Sequence, residues 1–471
     1  MTADSLVGKA AHGKGLTEFL AERAALFDFA AATGDARTVA KQCILDWFGV
    51  TVGGRDEAPV LLLQDQLRED GGTGHATVLA TGEKLTVGQA ALLNGTASHA
   101  LDYDDVVMVM RAHPTVAILP AALAVGEMTH ATGQQILEAF LCGFETACRI
   151  GSVVNPSHYD SGWHATSTMG SFGAAAAAGR LLGLDPTGMA HALGLAGTQA
   201  AGLRSVFGTM TKPLHAGLAA ERGVRAARLA ARGFTSSTRI IEIDQGFALT
   251  QSRDPDVSRA WIEPPGGYYI LQTLFKYHAA CYLTHSAIEA TRSLAAAHRL
   301  AVHQIRRVEV GVDPGHLKIC NIQEPRTGTE LKFSLRGAVA LGLLGEDTSD
   351  EKLFSDAVAN RDDLVSLRDL VSVEARKKPS HTLSDVAIVL DDGTTQRTSH
   401  DTGIPAADFK VQGEALLAKF KALTSDRLGE GASRELGDRC LEFERVTDIG
   451  ALMRLASARA RVAEATDGMH R

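Results

Sequence analysis

The chain has 471 residues, 45% of them hydrophobic, 22% charged and 5% aromatic, and a formal net charge of −8. That length exceeds one ordinary core and predicts two domains. The acidic balance excludes the basic face of a nucleic-acid binder but still allows a locally positive pocket for an anion.

Residues 1–15 are polar and read as a loose end. From Leu16 to Val52 the residues Leu20, Ala24, Phe27, Val39, Cys43, Ile44 and Phe48 recur at helical spacing, and Gly53-Gly54 ends the run. Further helices are predicted over 86–101, 114–130, 132–153, 166–183, 186–202 and 213–232. Asp185-Pro186 joins an N-cap to a proline at the first helical position. No segment of this half reads as a strand. The 47 glycines and the abundant alanine predict helices that approach closely.

The texture changes at Pro264-Pro265-Gly266-Gly267. Beyond it, Arg306 to Val312 alternates with period two. Val386 to Leu390, then Asp391-Asp392-Gly393, then Thr394 to Thr398 form a hairpin pattern. Helices over 333–345 and 350–361 are predicted between them, and from Ala406 the pattern is helical again. The expected fold is mainly α: residues 1–267 form the first part of a helical domain, 268–405 a smaller α+β module, and 406–471 a helical segment that returns to the first part. No internal repeat is visible.

Six cysteines are scattered without a C-x-x-C pair, so neither a zinc or redox centre nor a disulfide framework is expected. The N-terminus lacks the basic-then-apolar pattern of a signal peptide, and no uncharged apolar stretch reaches about 18 residues. The expectation is a cytoplasmic protein with no membrane partner.

The chemistry gathers in a few places. Asp102, Asp104 and Asp105 follow the helix at 86–101. The negative end of a helix dipole raises a carboxyl pKa, which suits a general base; the plain alternative is a solvated acidic turn. A magnesium motif of the prenyl-diphosphate type wants another Asp where Met108 stands. His113 precedes Pro114 and a helix, Lys212 precedes Pro213 and a helix, and His164 lies just before the helix at 166. A cation at a helix N-terminus is unfavourable until an anion joins it, so the three together predict an anion-binding cavity rather than three surface loops. Lys276, His278, Cys281 and His285 sit at the domain junction, where they serve either a pocket or the core. His99 and His215 lie within apolar helices and read as core groups. There is no H-E-x-x-H, P-loop or G-x-S-x-G, so neither a metal nor a nucleotide cofactor is expected.

The segments LLNGTASHALDYDDV, AHPTVAILPAALAVGE, GWHATSTMGSFGAAAAAGRLLGL, GTMTKPLHAGLAAERGVRAARLAARGFT and KYHAACYLTHSAIEA resemble, in this order, those of the MmgE/PrpD family. TGTELKFSLRGAVALGLL resembles the family's lid segment. The resemblance implies an all-helical domain of N- and C-terminal parts with an inserted α+β lid, a homodimer, and activity without metal or cofactor. Family activities include 2-methylcitrate dehydratase, cis-aconitate decarboxylase and iminodisuccinate epimerase. By motif, the resemblance assigns active-site roles to Asp102, His113, His164, Lys212 and His285. Three features depart from the pattern. Val106 stands where a polar residue is usual, the loop Val107 to Arg111 is one residue longer than in the decarboxylase, and Cys281 stands where a histidine is compared. These count against the decarboxylase and select no substrate.

All these reactions make or quench a carbanion beside a carboxylate of a small polycarboxylate. Lys212 is the candidate to stabilise it, with Arg204 or Arg111 gripping remote carboxylates and Cys281 near the substrate. Asp102 or His113 would remove the proton, and His164 or His285 would return one. A dehydratase is the first reading, an epimerase or decarboxylase the second. A terpenoid-synthase-like enzyme and a non-catalytic helical interaction protein are remoter alternatives.

Overall fold

A computed structural model describes residues 14–459. The expected loose end at 1–15 therefore lies almost wholly outside the described residues, as does the last part of the C-terminal segment. The chain is mainly helical. Its principal helices are α1 (Leu16–Ala25), α2 (Gly34–Gly54), α3 (Ala58–Asp70), α4 (Val87–His99), α5 (Thr115–Thr129), α6 (Gly133–Val154), α7 (Ala165–Leu181), α8 (Pro186–Gly197), α9 (Thr211–Ala230), α10 (Tyr282–His298), α11 (Leu335–Leu344), α12 (Asp362–Arg368), α13 (Phe409–Leu428), α14 (Glu430–Leu441) and α15 (Ile449–Ser457). Among the described residues no helix is long and apolar enough to cross a membrane.

The single run expected from Leu16 to Val52 is in fact two helices. Asp28 caps a short turn by accepting from Ala30 N at 2.9 Å, and Thr33 then caps α2 by accepting from Ala36 N at 3.1 Å. Local side-chain bonds outcompete helix continuation here. The helix expected over 350–361 is likewise broken, because Ser355 starts a new turn at Asp356–Ala359. Helix α3 escaped the periodic reading because its Leu61 and Leu62 point outward rather than into a stripe.

Small residues let α4, α5, α7 and α9 pack backbone to backbone. A methyl added at Gly217 on α9 would stand 2.1 Å from the Leu92 carbonyl of α4, and one at Gly223 2.4 Å from Ala174 Cβ of α7. The high glycine and alanine content is spent on this contact. Here α4 is capped by a reciprocal box, with Thr86 Oγ1 accepting from Gln89 N at 3.3 Å and Gln89 Oε1 accepting from Thr86 N at 3.2 Å.

Two-residue strands β1 (Ala76–Thr77) and β2 (Lys84–Leu85) pair with each other, as do β3 (Val106–Val107) and β4 (Thr273–Leu274). The one substantial sheet has the order β6-β5-β7-β8, built from β5 (Ile305–Val312), β6 (Val371–Ala375), β7 (Leu383–Leu390) and β8 (Thr395–Asp401). Strand β5 runs parallel to β6 and antiparallel to β7. The expected strand at 306–312 and the expected hairpin are both present. In the hairpin turn, Asp392 Oδ1 accepts from Thr394 N at 2.8 Å and Gly393 takes a φ of +84°. The sheet packs with α10, α11 and α12 around Val308, Val310, Leu341 and Ile388.

Helix α13 lies along α2. Gln412 meets Gln42 at 2.7 Å, Lys419 meets Asp46 at 2.6 Å, and Phe420 lies against Gly49.

Gly217→Ala is expected to destabilise the protein by about 1–3 kcal/mol through overpacking at α4. Gly34→Ala, where an added methyl meets nothing within 4 Å, serves as the neutral comparison. Denaturant midpoints of the two variants check this.

Candidate active site

The chain leaves α4 at His99 and turns sharply. Asp102 N donates to His99 O at 3.1 Å, and Asp102 takes a φ of +52°. A non-glycine residue in this region costs free energy and persists only when its surroundings hold it. The holders are two lysines. Lys212 Nζ lies 2.7 Å from Asp102 Oδ2, and Lys276 Nζ lies 2.7 Å from Asp102 Oδ1 while also donating to the Asp102 carbonyl. Burial pushes this carboxyl pKa up, but Lys212 and Lys276 together overcome it and hold it well below the ordinary value. The helix-dipole expectation of a raised pKa is thus reversed at Asp102, because two contact ion pairs outweigh the end of one helix.

Asp104 points the other way. It lies 2.8 Å from His99 Nδ1 and 2.9 Å from His113 Nδ1. His113 Nδ1 also lies 2.8 Å from the Asp105 carbonyl. With two acceptors around it, Nδ1 carries the proton, and Nε2 is the basic nitrogen. His99 is fully buried, whereas 15% of the His113 side chain is exposed, so His113 is the ring a ligand can reach. Burial lowers the His99 pKa to about 4, so His99 is a neutral donor to a charged Asp104. Asp105 faces the core, accepts from Thr115 Oγ1, and is raised by burial to about 7.

His164 is the N-cap residue of α7. Its Nδ1 lies 2.9 Å from His215 Nδ1, and its buried Nε2 has no partner among the described residues. Burial, then the nearby His99 and Lys212, hold its pKa well below the ordinary value. The loop from 107 to 112 closes through Val107 N donating to Ala112 O at 2.9 Å, with Arg111 at a φ of +51°. Asn155 Nδ2 donates to Met110 O at 2.8 Å and so fixes that loop.

One cavity joins these groups. It is lined by Asp102, His113, His164, Lys212, Arg111 and Cys281, all expected from sequence, and by Lys276. Val106, Met108, Phe207, Tyr282, Ile319 and Phe333 supply an apolar side. Two expected residues lie outside it. Arg204 stacks on the Tyr159 ring at 3.7 Å and donates to the Tyr159 carbonyl at 2.9 Å, so its fork is used in holding a cavity-wall residue. His285 is buried against His278 and lies 3.2 Å from the Ala280 carbonyl. Its ring lies 5.1 Å from that of Tyr282, which does line the cavity. Arg111 lines the cavity but is paired with Asp160 at 3.0 Å.

Sequence reasoning missed four participants. Lys276 received no role, although its place in a junction segment beside two histidines was a signal. His99 and His215, read as core groups, are buried as expected, yet His215 partners the cavity residue His164, and His99 partners the Asp104 that also holds His113. Lys419 was also missed; it donates to the carbonyls of Tyr103 at 2.6 Å and Lys276 at 3.0 Å while pairing with Asp46. It thereby ties the two loops that carry Asp102 and Lys276.

His99, Asp102, Asp104 and His113 place one donor atom each within 4.8 Å of one another, a spacing a metal ion could use. Both oxygens of Asp102 are already met by ammonium groups, and His99 Nδ1 is turned to Asp104. The donor set is therefore satisfied by the protein's own cations and does not fit a metal.

A helical body, a small sheet and a cavity lined by ammonium and imidazole groups are together the framework of an enzyme. Residues 18–260 match the MmgE/PrpD N-terminal domain and residues 278–442 the MmgE/PrpD C-terminal domain, and the chain belongs to the MmgE/PrpD family. It is an enzyme of that family's lyase or isomerase kind. The chain is 27% identical over 415 residues to a cis-aconitate decarboxylase of Aspergillus terreus, covering 81% of this chain and 84% of that protein. It is 28% identical over 359 residues to the cis-aconitate decarboxylase of Homo sapiens, covering 72% of this chain and 73% of that one. The Mus musculus protein of the same name is 28% identical over 388 residues, 78% of each chain.

Asp105 gives a pH signature. Its folded pKa of about 7 lies above an unfolded value of about 3.9, so the folded state keeps a proton that the unfolded state has lost between those values. Stability from this group is present below about pH 4 and is lost as pH rises towards 7. Asp105→Asn should therefore gain stability relative to wild type across that window. A difference between their denaturation midpoints that stays constant with pH would contradict this.

Proposed function

We propose that the protein is a cofactor-independent lyase that moves protons at the carbon beside a carboxylate of a small di- or tricarboxylate. The observation that carries this reading is the Lys212–Asp102–Lys276 trio sharing one cavity with His113. Two ammoniums and one carboxylate leave one positive charge for a substrate carboxylate, and His113 Nε2 is free to take a proton. A carboxylate clamped by two lysines is a poor base, so Asp102 positions the lysines and His113 is the base. Lys212 and Lys276 stabilise the enolate-like intermediate. His164, neutral and buried with an unpaired Nε2, is the group that handles the second proton.

Among the family's reactions we favour water elimination from a 2-methylcitrate-like hydroxy acid. Val106, Leu274 and Tyr282, with Met108 against them, form an apolar cluster beside the cavity that suits an alkyl substituent. Cis-aconitate decarboxylation is the second reading, favoured by the names of the curated relatives. Val106 and Cys281, which depart from the pattern expected for that activity, weigh against it. In this reading residues 268–405 serve as a lid between the helical parts 1–267 and 406–471, and the protein acts as a cytoplasmic homodimer.

The test is proton NMR in heavy water with citrate, 2-methylcitrate, cis-aconitate and iminodisuccinate. Deuterium entering beside a carboxylate is expected, with alkene signals from 2-methylcitrate; itaconate would favour the decarboxylase, and interconverting diastereomers an epimerase. No exchange with any of the four would sink the substrate class. His113→Ala is expected to lower turnover roughly 10²–10⁴-fold and Lys212→Ala roughly 10²–10³-fold, with the fold retained. Near-wild-type turnover in both would remove these residues from the mechanism.

A further inference from the structure

The ionisable groups assigned to the reaction so far all precede α10. The sheet-bearing part adds Ile319, Phe333 and His381 to the cavity wall, and of these only His381 is polar. His381 lies just before β7, and its place is tightly specified. Nδ1 lies 3.0 Å from Asp313 Oδ1. Asp313 follows β5 and is itself fixed by Gly315 N, which donates to the same oxygen at 3.0 Å. The His381 carbonyl lies 2.6 Å from Nε2 of the buried His316. Burial keeps His316 neutral down to about pH 4, so its Nε2–H is a fixed donor to that carbonyl. A methyl at Gly315 would stand 2.7 Å from His381 Cε1, so the turn is shaped around the ring.

A carboxylate on Nδ1 makes that nitrogen a donor. Nε2 has no protein partner among the described residues, and 34% of the side chain is exposed. An aspartate that orients one histidine nitrogen and leaves the other facing a cavity is an arrangement suited to ligand contact. The helical side of the cavity already offers Lys212, Lys276 and His113. A ligand with more than one carboxylate needs more than one donor in the cavity, and of Ile319, Phe333 and His381 only His381 can supply one.

We propose that His381 is a substrate-binding residue that grips a carboxylate of the bound di- or tricarboxylate through Nε2, with Asp313 fixing the ring from behind. With Nδ1 turned to Asp313, Nε2 is the ring nitrogen left to meet the bound carboxylate. The contact couples substrate occupancy to the position of the sheet-bearing part. This inference rests on the polycarboxylate reading above.

The experiment is calorimetric titration of the full-length protein with tricarballylate, which has three carboxylates and no hydroxyl to eliminate, and with citrate. His381→Phe keeps the ring's bulk without its nitrogens, and His381→Gln keeps a donor. The Phe variant should bind roughly tenfold or more weakly, and the Gln variant within about threefold of wild type. Wild-type affinity in the Phe variant would overturn the contact while leaving the polycarboxylate reading intact. A Gln variant as weak as the Phe variant would overturn the hydrogen-bonding role. If the wild type shows no saturable binding of either ligand, both readings fail together.

Discussion

Two ammonium groups can be buried side by side only if a carboxylate lies between them. Lys212 comes from the first turn of α9, Lys276 from the segment after β4, and Asp102 from the turn after α4. Their mutual neutralisation holds three distant parts of the chain at one point and sustains the unfavourable backbone of Asp102. Breaking a buried pair by removing one partner leaves an uncompensated charge, which is costly. The same arrangement that organises the cavity therefore makes it intolerant of change, and it leaves one positive charge that an anion can satisfy.

Around this point the polar groups divide by burial. Asp104 and His99 are sealed, so they act on the cavity through its lining residues, Asp104 through His113 and His99 also through His164. Asp105, one residue further, faces the core, where burial pushes its pKa up to about 7. Three carboxylates within four residues thus have three different environments: clamped by lysines, paired with imidazoles, or dry. The different outcomes follow from the neighbours, since the side-chain chemistry is the same.

Much of this was legible in the sequence. The helical body, the strand at 306–312 and the hairpin followed from periodicity and turn chemistry. The residues before helix starts, His113, His164 and Lys212, do line one cavity, although burial leaves His164 neutral there. What was hidden depended on long-range partners. His99 and His215 sit on apolar helical faces, and nothing local distinguishes a core histidine from one hydrogen-bonded to a cavity residue. Arg204 was misjudged because a nearby aromatic ring, Tyr159, claimed its guanidinium. His381 carried no motif at all, and its role depends on Asp313, which is 68 residues away. The strand β6 was missed because it is a five-residue edge strand whose one buried side chain is Val371, too short a pattern to stand out.

Lys419 adds a constraint of timing. It comes from α13, late in the chain, yet its ammonium holds the Tyr103 and Lys276 carbonyls that shape the loops of the ion-paired trio. During synthesis the early helices can collapse around their glycine contacts as soon as they emerge from the ribosome. The loops bearing Asp102 and Lys276 lack their common anchor until α13 has also emerged. Because the same helix seats Phe420 against Gly49 of α2, the core and the active centre are completed together by one late segment of the chain.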